Sequence, residues 1–379
     1  MNRSRVPVLL VAQELGQGGS ERQLTELAKA LDRERFVPHV GCLRPTGFRI
    51  EELRRCGVPV EVFPLRSFAS LDVPRAGAAL GRYVKRHGIG IVHSFDTPGN
   101  VLAAPAARMS GVPVVLSSQR AFRELNTALF RHLLRVTDQI ADAVIVNCRA
   151  LERHLVEDEK ISPRRIRLCY NGIDSEIFHP GAGARPGPLV QAGIVVGVVC
   201  ALRPEKDLPT LIDAFARVLP RYPGARLAIV GSGSERQPLE ARARELGVAE
   251  ATWLEPSTPE VVPWFSAIDV FVLPSRSEAL SNSLMEAMAC GCCAVASAVG
   301  GNCELVEHGE TGLLFQPGSA GELAGHLEML MRDESIRRRL AAAGRERMVR
   351  EFSLAASARR MAEIYGEYLE DSLRWRSSP

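Results

Sequence analysis

PSRSEALSNSLMEAMACGCCAVASAVGGNCE, residues 274–304, carries the clearest chain-building signal in this sequence. Asp269-Val-Phe-Val-Leu in front of it is a short β-rich apolar run stopped by Pro274, while Leu284, Met285, Ala287, Met288 and Ala289 are good helix formers closed by Gly291. A second apolar run, Cys292 to Ala298, follows and ends at Gly300-Gly301. The order is strand, loop, short helix, strand and glycine turn, as in an open α/β sheet. A helix that follows a strand in such a sheet opens with free N–H groups at the strand's C-terminal edge, where these sheets bind anions and ligands.

Glu278 stands on the predicted loop, and Glu286, eight positions later, points from the predicted helix into the same crevice. Glu286 also has a local reading, because Ser283-Leu-Met-Glu286 fits a capping box that would only close its own helix.

Working outward, 379 residues suggest two domains of ordinary size, and 46% hydrophobic with 24% charged residues is a globular composition. A net charge of +3 is too mild to argue for nucleic acid. The nine cysteines are scattered through a long chain, several in apolar runs, and read as reduced cytosolic thiols. Cys290, Cys292 and Cys293 invite a metal, but no second cysteine pair or histidine cluster follows at a zinc spacing, so they read as buried small residues. No stretch is long and apolar enough to span a membrane, and Pro7 to Ala12 reads as a first buried strand rather than a signal peptide.

That strand runs into Gly16-Gln-Gly18-Gly19-Ser20 and a helix with Leu24, Leu27, Ala28 and Leu31 on one face. Ser20 and Gln23 have the capping-box spacing. A dinucleotide site is the first rival here, but Glu21 replaces the third glycine and the next strand, Val37 to Leu43, ends at Arg44 rather than at an acid. Strand candidates at Val58 to Pro64, Ile89 to Ser94, Pro113 to Ser117 and Ala143 to Asn147 alternate with helical runs, which predicts a parallel doubly wound sheet. His93 falls at the end of one of these strands and is read either as a hydrogen-bonded core histidine or as a site residue, with Asp96 beside it. Arg120 follows the next strand, where it either guides an acceptor or phosphate or simply opens a helix.

Pro180 to Pro188 is a Gly/Pro-rich linker. Beyond it come the strand Ile194 to Ala201 and the loop Leu202-Arg203-Pro-Glu-Lys206-Asp207, whose two cations suit a diphosphate or else pair with Glu205 and Asp207 on the surface. Leu227 to Val230 leads into the turn Gly231-Ser-Gly233, again at a ligand-facing strand end.

Taken together these elements resemble the retaining GT-B glycosyltransferases of family 4, the glycosyl transferases group 1. The resemblance rests on Glu278-x7-Glu286 with GGNCE beyond it, on Arg203-x-x-Lys206, on Gly18-Gly19, and on Asn171-Gly-Ile-Asp174 with Phe178 and Pro180. Gly309-Glu-Thr-Gly312 resembles the family's late turn. Ala279 and Ser281 stand where glycine and proline are common, and Glu255 where glycine is usual, which leaves sugar and base identity open.

The resemblance implies an α/β, GT-B fold: two facing Rossmann-like domains with parallel sheets and an interdomain cleft. An acceptor-binding domain would span residues 1–183, completed by a helix over 356–379, and a nucleotide-sugar domain residues 184–355. The implied catalytic residues are His93, Arg203, Lys206 and Glu278, and the implied donor-binding residues Gly18, Gly19, Gly231, Gly233, Ser281, Asn282, Ser283, Leu284 and Glu286. Asp96 and Arg120 would meet the acceptor. Arg203 and Lys206 would stabilise the leaving nucleoside diphosphate, Glu286 would hold the ribose and Glu278 would lie beside the donor sugar.

The resemblance implies a nucleoside-diphosphate sugar as donor and no cofactor, and with no D-x-D-like element in a suitable loop no metal is expected. A saccharide or lipid-linked acceptor in cell-envelope or exopolysaccharide synthesis is expected. The alternatives are a GT-B nucleotide-sugar epimerase and a catalytically silent GT-B scaffold. Basic helical segments, Arg75 to His87 and Arg120 to Arg135 with Arg123 and Arg131, either pack on the sheet or touch anionic lipid, which would make a cytoplasmic protein peripheral to the membrane.

Overall fold

In the first unit seven strands lie side by side, all parallel: β1 (Val6–Ala12), β2 (Phe36–Cys42), β3 (Val60–Val62), β4 (Ile91–Ser94), β5 (Val114–Gln119), β6 (Ala143–Val146) and β7 (Ile166–Leu168), in the order β3-β2-β1-β4-β5-β6-β7. The computed structural model describes residues 5–181 and 185–377, so Ala182, Gly183 and Ala184 of the expected linker lie outside it. The chain divides into Met1–Gly172 with Leu354–Pro379, and Ile173–Ser353.

Strand periodicity builds the two faces of the first sheet. Val8, Leu10 and Ala12 of β1 point to one side, where they meet the helix Gly19–Ala30 through Leu24, Leu27 and Ala28, and the last helix, Leu354–Ser377, through Met361, Ile364 and Tyr365. Leu9 and Val11 point to the other, against Leu80, Tyr83 and Val84 of Asp72–His87 and Leu102, Ala103 and Ala107 of Thr97–Met109. The last helix therefore supplies core to the first sheet although it ends the chain.

The second unit holds β8 (Ile194–Val199), β9 (Ala225–Val230), β10 (Thr252–Glu255), β11 (Val270–Leu273), β12 (Cys293–Ser297) and β13 (Leu313–Phe315), all parallel, in the order β10-β9-β8-β11-β12-β13. The strand order reverses between β1 and β4 in one sheet and between β8 and β11 in the other, and ligands bind beyond the C-terminal ends at such points. The loops named above leave those ends: 13–18 after β1, 95–96 after β4, 200–207 after β8 and 274–281 after β11.

Two local expectations are corrected. The helix Gly19–Ala30 is capped by Gly18 with no side-chain cap bond, so Ser20 and Gln23 form no capping box. Gln23 instead holds Gly172, donating from Nε2 to its carbonyl and accepting its N–H at Oε1, both at 2.9 Å. Arg123, counted above with the basic surface, is 1% exposed and pairs with Asp138 at 2.7 Å and Glu159 at 3.5 Å.

Candidate active site

In the second unit the resemblance's separate pieces meet. Lys206 Nζ lies 2.5 Å from Glu278 Oε2, and Ser275 Oγ donates to the same oxygen at 3.2 Å. Burial works against the Lys206 charge, but the adjacent Glu278 carboxylate outweighs it and holds the lysine pKa above its ordinary value. Arg203 is different: its side chain is 66% exposed and stands 3.9 Å from Glu205, so it faces solvent with little to neutralise it.

Glu286 is 3% exposed in the helix Asn282–Ala289. Ser281 caps that helix, its hydroxyl accepting from the Leu284 N–H at 3.3 Å, so Ser283 is not the cap and the Ser283–Glu286 capping box does not form. Glu286 is therefore buried one turn into the helix rather than closing a Ser283 capping box. The segment Ser281-Asn282-Ser283-Leu284 forms the cap and first turn of this helix, at its positive end.

Gly231, Gly233 and Gly301 are explained by close backbone approach. A Cβ on Gly231 would stand 1.8 Å from the Cys200 carbonyl oxygen and one on Gly233 2.1 Å from that of Leu202, so the GSG turn is packed onto the Arg203 loop. Gly301 similarly lies under the Glu278 loop, donating its N–H to the Ala279 carbonyl at 2.7 Å, where a Cβ would be 2.0 Å from that oxygen. At the edge strand β10, Glu255 accepts from Trp253 Nε1 at 2.9 Å. Cys290, Cys292 and Cys293 are buried thiols; burial pushes Cys290 and Cys293 up to about 12, and no metal-holding cluster occurs among the described residues.

In the first unit His93 is fully buried, with Nδ1 2.8 Å from the Tyr365 hydroxyl and Nε2 2.8 Å from Ser118 Oγ. Burial and then the nearby Arg120 charge keep its pKa well below the imidazole range. Both nitrogens are spent inside the fold, so the core reading fits this histidine and a catalytic one requires a rearrangement. Asp96 caps Thr97–Met109, accepting from Gly99 N–H at 2.7 Å, and binds the Gln13 N–H at 2.6 Å, which ties β4 to β1. Burial raises its pKa to about 7 against the pull of those two donors.

Arg120 donates to Asn171 Oδ1 at 2.7 Å, stacks 4.7 Å over the Phe95 ring and has no carboxylate partner among the described residues; burial lowers its pKa to about 10. It borders a cavity of about 10 Å³, room for about one water, together with Phe95, Cys169 and Met361. Gly18 and Gly19 are exposed at the head of their helix, and the Glu21 carboxylate folds back to within 2.1 Å of where a Gly18 Cβ would stand.

Phe95, Ser275 and Arg276 were not singled out from the sequence, and Asn171 and Asp207 were read there only as part of a turn motif and as a surface partner of the cations. Asp207 is next to Lys206 and was legible as a neighbour, whereas Arg276 carries no local signal.

Residues 17–177 match the family model Glycosyltransferase Family 4, and residues 187–347 match Glycosyl transferases group 1. The D-inositol 3-phosphate glycosyltransferase of Thermobispora bispora is 30% identical over 96% of this chain and 90% of its own. That of Thermomonospora curvata is 32% identical over 74% of this chain and 67% of its own. Among solved structures, Anabaena Alr3699/HepE in complex with UDP and glucose superposes with a TM-score of 0.84 at 23% identity, covering 96% of this chain and 100% of that one. Sucrose-phosphate synthase from Thermosynechococcus elongatus does so with a TM-score of 0.82 at 22% identity, covering 97% and 100%.

Proposed function

The chain belongs to the family 4, group 1 glycosyltransferases of GT-B fold, and from that premise we propose that it moves a sugar from a nucleoside-diphosphate sugar to a hydroxyl acceptor with retention of anomeric configuration. The observation that carries this reading is the meeting of Lys206 with Glu278 at the β8/β11 reversal, with Arg203 exposed beside it. Breaking the bond from the anomeric carbon to phosphate leaves negative charge on the diphosphate and positive character on the sugar ring. Fixed cations stabilise the first and a carboxylate the second. Arg203 and Lys206 take the diphosphate, Glu278 lies beside the sugar and Glu286 holds the ribose. The acceptor oxygen attacks from the face the diphosphate leaves, and its proton passes to a departing phosphate oxygen. The reaction proceeds without a metal ion.

Uridine is the nucleotide we favour, since HepE was crystallised with UDP and with UDP-glucose. The acceptor belongs to the first unit, at the end of β4 and β5. Arg120, a cation with no carboxylate partner among the described residues, supports an acceptor that carries an anionic group, as the inositol phosphate in the relatives' names does. A lipid-linked or free saccharide phosphate of the cell envelope has that chemistry. Gly18 and Gly19, exposed at the head of the helix Gly19–Ala30, are the first unit's candidates for meeting a phosphate group.

Peripheral membrane contact is also part of the proposal. The helix Ala128–Ile140 leaves Leu129 63% and Val136 45% exposed alongside Arg135 and His132, and Arg82, Lys85 and Arg86 are exposed on Asp72–His87. Co-sedimentation with phosphatidylglycerol vesicles, and not with phosphatidylcholine vesicles, is the expected result.

The donor site is tested by calorimetric binding of UDP-sugars to Glu286→Ala and Arg203→Ala. Each should weaken binding by about tenfold or more. Unchanged affinity in both variants would place the donor elsewhere.

A further inference from the structure

We propose that Asp207 and Arg276 form a clamp that positions Lys206 for the donor diphosphate, making both of them positioning residues for transfer. The inference rests on the second unit being the donor site.

The loop after β8 carries Arg203 and Lys206, and the loop after β11 carries Glu278; the two strands are neighbours and both loops leave the same sheet edge. Two contacts besides the Lys206–Glu278 pair join them. The Arg276 guanidinium grips the Asp207 carboxylate as a fork, Nε to Oδ2 at 3.1 Å and Nη2 to Oδ1 at 3.3 Å. The Arg276 backbone N–H donates to the Glu205 carbonyl at 2.8 Å.

Asp207 is unusual in three ways. Its backbone is left-handed, φ 47° and ψ 42°, and only Lys160 shares a positive φ among the described non-glycine residues. It is 6% exposed, so its charge sits where a charge is costly without a partner. It also stands at the cap position of Leu208–Val218, yet its carboxylate makes no cap bond and goes to Arg276 and to the Thr210 hydroxyl, 2.8 Å away. A capping residue whose carboxylate caps no helix N–H and, in a strained conformation, bridges the Thr210 hydroxyl of its own helix to a side chain from another loop fits a positioning role.

Lys206 explains the need. It sits on a single 3-10 turn, Pro204–Lys206, and its ammonium is held by Glu278, which the arriving diphosphate must share. Once that pair loosens, the fork and the Glu205 bond are what keep the turn in register with the Glu278 loop. Arg276 has a 67% exposed side chain, so it is reachable by small solutes and adds little to the core.

The test uses the full chain, with UDP binding and UDP-sugar turnover as readouts. Arg276→Ala and Asp207→Asn should each weaken UDP binding and raise the donor KM by about tenfold. The double variant should be no worse than either single one, because both break the same contact. Arg276→Lys should recover only part, and added guanidinium ion should partly rescue Arg276→Ala and not Lys206→Ala, an effect that a purely structural role would not produce. Arg276→Ala should melt close to the parent temperature. If Lys206→Ala loses UDP while Arg276→Ala binds and turns over within twofold of the parent, or if the two single effects multiply, the clamp is refuted and the donor site stands. If Lys206→Ala itself binds UDP normally, the donor site fails and the clamp falls with it.

Discussion

Glu278→Gln should bind UDP more tightly while it transfers sugar more slowly. Without donor, Lys206 is neutralised by Glu278 at 2.5 Å, with side chains 17% and 12% exposed. At that separation two unit charges attract by roughly 7 kcal/mol at an effective dielectric constant of about 20, which is the ceiling on what the diphosphate must compete against. The parent can share the lysine between carboxylate and phosphate, so removing the carboxylate charge should return only part of that ceiling, about 1–2 kcal/mol, or roughly 5–30-fold in affinity. Turnover should fall by about 100-fold, since a charge beside the developing cationic sugar is lost and product leaves more slowly. Calorimetry with UDP and single-turnover kinetics with the donor separate the two effects. Equal or weaker UDP binding in Glu278→Gln would show that the carboxylate does not compete for Lys206, and the reasoning would be wrong.

Glycine substitutions should follow the backbone contacts. Gly172→Ala places a Cβ 2.7 Å from the Leu354 Cα and should cost about 2 kcal/mol, whereas Gly187→Ala meets nothing within 4 Å and should change stability by less than about 0.5 kcal/mol, read from urea midpoints. His93 and Asp96 should give opposite pH slopes. His93 has a lowered folded pKa, so below about pH 6.5 the unfolded chain takes up a proton that the folded protein refuses, and stability falls by up to about 1.4 kcal/mol per pH unit as pH drops. Asp96 has a raised folded pKa of about 7, so the folded protein holds the extra proton and stability falls as pH rises from about 4 to 7. Relative to the parent, His93→Asn should lose the first slope and Asp96→Asn the second; variants that keep the parent's pH profile would refute the assignment.

The fold was legible where burial leaves a continuous apolar run. β1, β8 and β11 are covered on both faces and read directly as Val/Leu/Ile/Phe stretches. β7 and β13 were not, because, unlike β3 within Val58 to Pro64, their three residues sit in no longer β-rich run, nor was β10, an edge strand with Trp253 43% exposed. At the site, the spacing of Glu278 and Glu286 and of Arg203 and Lys206 could be read, since each pair sits within one loop and helix. What each residue touches could not. Gln23 has the spacing of a local cap but serves Gly172, 149 positions away, and His93 is held by Ser118 and Tyr365, 25 and 272 positions away. The Asp207–Arg276 fork spans 69 positions and leaves no pattern in the chain. Such pairings are fixed by sheet order, which a single sequence only implies.

The central claim, nucleotide-sugar transfer supported by Lys206 and Arg203, is tested most directly by turnover across a panel of UDP-, GDP- and ADP-sugars without added metal, scored by nucleoside diphosphate release. The account predicts slow, selective release from one donor class by the parent, UDP-sugars first, and its loss in Lys206→Ala. Release that is unselective, or that survives in Lys206→Ala, would contradict it.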